Sequence, residues 1–142
     1  MATYVKYETA VEKLCNKLID AFGTTDTWRV AITTDAPTVA TDSTLTDVTE
    51  IGNSNGYTTG GENATYNATR SGGTVTATAS DIVWTASVGN LGSSTTGRYF
   101  VLYDDTSAAN DLWSYWDYGA TFTVAVGETM TWDVTGSIFT VA

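Results

Sequence analysis

"RYFVLYDDTSAANDLWSYWDYG", residues 98–119, decides the fold. Successive side chains of a strand point to opposite faces of its sheet. In the first half, Phe100 and Leu102 therefore share one face while Tyr99, Val101 and Tyr103 share the other. In the second half, Leu112, Trp116 and Tyr118 oppose Trp113 and Tyr115. A strand with one wet face alternates apolar and polar residues, and neither of these does, so the hairpin needs cover on both sides. A second sheet can cover one face. The other calls for a helix, a neighbouring subunit or a ligand that stacks on aromatic rings.

The rest of the chain supplies that second sheet. Trp28, Val30 and Ile32 alternate with Arg29, Ala31 and Thr33, and the strand stops at Asp35-Ala36-Pro37, which holds the only proline. Further short, Thr- and Val-rich strands are expected over 65–69 and 74–79 around Ser71-Gly72-Gly73, then over 81–86, 121–126, 130–134 and 138–141. Gly127 suits a type II′ hairpin turn, which implies that the last strands pair with their sequence neighbours. Between the first strand and these lies a long surface excursion, residues 38–61, with a short pairing segment at Leu45–Ile51. At the N-terminus, Val11, Leu14, Cys15, Leu18, Ile19 and Phe22 recur at helical spacing, and Gly23 supplies a stop. The pattern predicts an amphipathic helix over 3–22, permanently packed, in which Leu14→Asp or Leu18→Asp is costly. The whole reads as one mainly β domain over 1–142: a β-sandwich or jelly-roll-like fold of about eight or nine strands over 26–142, plus one N-terminal helix.

Composition narrows the function. Sixteen acidic against six basic residues leave a net charge of −10, which repels nucleic acid and anionic membranes. There is no apolar run of transmembrane length, and the amphipathic, charged start differs from a secretory signal, so a cytosolic origin is expected. A single cysteine, Cys15, allows no disulfide within the chain, and the absence of histidine removes the commonest zinc ligand and general base. "NGYTTGG", residues 55–61, has the glycines of a phosphate loop but lacks the preceding strand, the following helix and the Lys-Ser/Thr pair. Asp104, Asp105, Asp111 and Asp117 gather around the hairpin connection, where paired carboxylates could cleave a glycosidic bond or bind calcium. Their setting is that of turn-forming, solvated acids, and no partner group sits at catalytic spacing. No catalytic residue, metal ligand or cofactor is assigned.

Several stretches together carry a resemblance: "YVKYETAVEKLCNKLIDAF", "WRVAITTDAP", "NGYTTGG", "DIVWTASVGNLG", the hairpin itself, and "VAVGETMTWDV". In this order, over nearly the whole chain, they resemble a family of small tailed-bacteriophage virion proteins. The resemblance implies a non-enzymatic structural protein of the particle, of the head-decoration or cement kind, with some members regarded as tail or fibre components. It makes the glycines of "NGYTTGG" a turn of the fold. The implied partner is the major capsid protein and the implied location the capsid surface, after accumulation in the host cytoplasm. Homo-oligomers are expected, trimers first and dimers second. Candidate interface residues are Tyr99, Tyr103, Trp113 and Tyr115 on the hairpin, and Leu45, Val48, Ile51 and Tyr57 on the excursion. The alternative is a tail or fibre component or a carbohydrate-binding module, which requires Trp113 and Tyr115 exposed and coplanar. A hydrolase using Asp104 or Asp105 is the third reading.

Overall fold

The hairpin is the spine of the molecule. In a computed structural model that describes residues 3–21, 25–92 and 96–142, β7 (Gly97–Asp104) and β8 (Asp111–Phe122) pair antiparallel. β2 (Trp28–Thr33) lies against β7, β1 (Thr3–Lys6) against β8, and β3 (Glu62–Ala64) against β2, giving an antiparallel sheet in the order β1-β8-β7-β2-β3. The second layer consists of two smaller sheets. One is β10-β5-β4, from β10 (Phe139–Val141), β5 (Thr74–Ala79) and β4 (Tyr66–Ser71); the other pairs β6 (Ile82–Thr85) with β9 (Thr129–Trp132). Aromatic rings join the layers: Trp28 stacks on Tyr66 at 5.3 Å, Trp84 on Phe100 at 6.0 Å, and Trp116 meets Trp132 edge-on at 5.0 Å. The fold is thus mainly β and sandwich-like, with ten strands, one short α-helix and a single 3-10 turn at Leu45–Asp47 among the described residues.

A β-bulge changes which residues share a face. Leu102 pairs with Ser114 but Tyr103 with Leu112, so Trp113 is the extra residue on β8. Strict alternation places Trp113 beside Tyr115. The bulge instead turns Trp113 inward onto Trp28 and Phe139, at 5.9 and 4.5 Å, while Tyr115 faces Tyr7 and Tyr99 on the opposite side.

The N-terminal segment departs from the expected helix over 3–22. Thr3–Lys6 is a strand at the sheet edge, and the helix α1 spans only Glu8–Cys15. "TYVK" contains two β-branched residues and finds an open edge on β8, whose backbone satisfies it better than a frayed helical turn would. The helix stops well before Gly23, which lies outside the described residues along with Phe22. Lys17 adopts φ +56°, its N–H donates to Leu14 O, and Leu18 N–H reaches back to Lys13 O, the pairing of a Schellman motif. This swings Leu18 into solvent, 56% exposed, and brings Ile19 and Ala21 into the core. The packed-helix expectation therefore fails at Leu18, while Leu14 is half-buried.

Pairing in the second half is also less local than expected. β8 continues through Gly119 to Phe122, merging with the strand predicted at 121–126. A turn forms at Gly127, with Glu128 N–H donating to Ala125 O, but Gly127 takes its second central position at φ +84°, which is type II and not the expected type II′; β9 beyond it pairs with β6, and β10 pairs with β5. The excursion over 38–61 is fastened along its middle. Glu50 bridges Thr33, Thr44 bridges Asp111, and Leu112 N–H donates to Ser43 O, so the segment closes the hairpin end.

Candidate interaction site

The expected interface residues hold the fold and do not present a surface. Trp113, Tyr99 and Tyr103 of the hairpin and Ile51 and Tyr57 of the excursion are buried, while Tyr115, Leu45 and Val48 are half-buried. Tyr57 shows why. Beyond Val30, β3 no longer pairs with β2, and the Tyr57 hydroxyl accepts from Ile32 N–H at 3.1 Å in place of a strand partner. That hydroxyl donates to Glu50 Oε2 at 2.6 Å, which also accepts from Gly60 N–H at 2.8 Å. Arg29 and the Tyr103 hydroxyl then donate to Gly60 O, at 3.0 and 2.7 Å, and Arg29 also to Gly61 O at 2.5 Å. "NGYTTGG" is consequently a clamp across the sheet. Its last glycine is obligatory: at Gly61, φ is +67° and a Cβ would stand 1.8 Å from Val30 O.

The four hairpin carboxylates are committed to separate structural tasks. Asp117 forms a two-pronged pair with Arg98, both contacts at 3.0 Å, and the hydrogen bonds from that guanidinium hold its carboxyl below the usual carboxylate range. Asp111 pairs with Lys13, whose ammonium also donates to Ser43 O, and so ties α1 to the hairpin end. Asp105 stands 3.9 Å from Arg29. Asp104, the last residue of β7, is wholly buried and accepts from Thr106 and Ser107 N–H at 2.8 and 3.2 Å. Burial, helped by the neighbouring Asp26 carboxyl, pushes its pKa up to about 6 against those two hydrogen bonds. Among the described residues, no three Asp, Glu or Cys side chains gather as metal ligands, and no helix is long and apolar enough to cross a membrane.

What the fold does leave open is a seam. β1 is the outer strand of one layer and β10 the outer strand of the other, and between them lies a groove of about 630 Å³. Tyr4 and Lys6 of β1, Val11 and Leu14 of α1, and Trp113 and Trp116 of β8 line it opposite the β10 segment. Tyr4 meets Trp116 edge-on at 5.3 Å and is itself 38% exposed; Val11 is 44% exposed. Lys6 makes no ion pair or hydrogen bond among the described residues, in contrast to Lys13, Arg29 and Arg98. Reading residues 3–6 as helix hides this site, because the groove exists only once that segment becomes an edge strand. The one sequence signal for it is the period-two placement of Tyr4 and Lys6 around β-branched Val5. No protein-family model, curated protein or solved structure matches the chain.

Proposed function

We propose that the protein is a non-enzymatic structural component of a tailed-phage particle, a decoration or cement protein that attaches to the major capsid protein on the shell surface. The observation that supports this most is the combination of a β core whose aromatic side chains are buried between the layers with an open, largely apolar seam along one edge: the interior side chains are taken up by packing, and the seam is surface left for a partner. The ion pairs of Asp105, Asp111 and Asp117 with Arg29, Lys13 and Arg98 weigh on the same side, since an acid already facing a guanidinium or an ammonium is poorly placed for proton transfer. The proposed assembly is a closed ring of copies, a trimer before a dimer. Exposed Val83 and Val88, on β6 and just beyond it, offer apolar surface for contacts between copies.

The carbohydrate-binding alternative loses its particular site, because Trp113 is buried and Tyr115 lies on the other face of the sheet. The test is co-sedimentation of the chain with empty shells assembled from a tailed-phage major capsid protein. Wild type is expected to pellet with shells and Val11→Glu to pellet less. A chain that stays in the supernatant with shells but binds tail or fibre proteins would transfer the role to those structures.

A further inference from the structure

We propose that the seam between β1 and β10 receives an extended strand of another protein, which adds to the β1 edge and carries an apolar residue and a carboxylate in fixed register. The argument starts with backbone direction. In an antiparallel ladder, successive residues turn their N–H and C=O alternately toward and away from the partner strand. Tyr7 N–H donates to Trp113 O, which continues the β1–β8 register of Val5 with Tyr115 and Thr3 with Asp117. The main-chain groups of Tyr4 and Lys6 therefore face outward from the sheet edge. Their side chains are also the two from β1 that line the groove. An added strand would thus find hydrogen-bonding backbone and a side-chain pocket at the same two residues, which is how strand addition combines affinity with specificity.

The composition of the groove selects the occupant. Its walls are aromatic and aliphatic, from Tyr4, Val11, Leu14, Trp116 and Phe139, which fits apolar side chains at alternate positions. Among the described residues, Lys6 is the one charged side chain in the lining and has no acidic partner, so a carboxylate on the incoming strand completes the site. A second copy of this chain is the weaker fit: β1 reads Thr-Tyr-Val-Lys and holds no acid, so pairing β1 with β1 supplies neither Lys6 with a carboxylate. The inference stands whether or not the partner is a shell protein.

The experiment uses the folded chain as bait for a display library of random peptides of about a strand's length. Enriched peptides are expected to alternate apolar residues and to carry Asp or Glu at one fixed offset from them. Lys6→Glu should weaken the selected peptides about tenfold and shift enrichment to Lys or Arg at that offset. Val11→Glu, on an exposed helix position, should abolish enrichment without unfolding the chain. Bound peptide should slow amide hydrogen exchange at Tyr4 and Lys6. Absence of enrichment, enrichment indifferent to Lys6→Glu, or unprotected Tyr4 and Lys6 amides would each overturn the proposal. So would protection of those amides by self-association alone, which would make a second copy the occupant.

Discussion

Asp104 places a carboxyl in the core at the end of β7, beside Asp26, with its second oxygen unmatched by any donor among the described residues. Its folded pKa of about 6 lies above the ordinary 3.8. Between those values the folded chain holds a proton that the unfolded chain has released, so stability declines as pH rises through that window and levels off above it. Asp104→Asn keeps an oxygen for the Thr106 and Ser107 amides and offers Asp26 a donor. We expect the variant to melt higher than wild type at pH 8, and the difference to shrink toward pH 4; an unchanged or lower midpoint at pH 8 would show that the buried charge costs nothing. Asp117 works in the opposite sense, since Arg98 holds its pKa down: its contribution is present above pH 4 and fades below it, and exposure keeps it small. Glycines give a second contrast. Gly61→Ala meets Val30 O at once and should cost several kcal/mol, whereas Gly72→Ala, at φ +60° with nothing within 4 Å, should cost about 1–2 kcal/mol from left-handed strain alone. Denaturant midpoints of the two variants compare these directly. The sequence alone sets aside a phosphate loop at 55–61 by the missing strand, helix and Lys-Ser/Thr pair; that Tyr57 and Glu50 lock the segment to β2 and Arg29 depends on residues brought together only by folding.

At the scale of elements, local signals served well where the element is made by its own residues and poorly where a distant edge makes it. Alternation identifies β2, and the Gly-Gly turn identifies the β4–β5 hairpin, because cross-strand neighbours there are close in sequence. β1 and β3 are short edge strands whose reason for being extended lies on β8 and β2, and no pattern of four or three residues encodes that. The bulge at Trp113 is equally silent, yet it decides which aromatic enters the core. Helix α1 illustrates the limit of periodicity: Val11 and Leu18 keep helical spacing with the buried positions but end up in solvent. Leu18→Asp should therefore shift stability by no more than about 0.5 kcal/mol, the range of an ordinary surface change. Lys17→Gly should raise stability by about 0.5–1 kcal/mol, since residue 17 occupies the left-handed C′ position of the helix end. Thermal melts of both variants check the helix boundary; a large loss for Leu18→Asp would restore the longer helix.

For the whole molecule, the two-sided hairpin was enough to establish a layered β fold, because a strand apolar on both faces has no stable place except between layers. The candidate site was not legible in the same way. Aromatic surplus pointed to Trp113, Tyr103 and Tyr115 of the hairpin as surface, but the second layer, the clamp and Tyr7 absorb them. What the layers cannot close is their own boundary, where β1 and β10 end the two sheets. The central claim is that the molecule joins its partner along this boundary, with the 38–61 excursion serving its own fold. Amide hydrogen exchange on the chain free and bound to capsid shells tests it most directly. Binding should slow exchange at Tyr4, Lys6 and the 137–142 segment while leaving 43–51 unchanged; slowed exchange confined to 38–61, with β1 unaffected, would contradict the account.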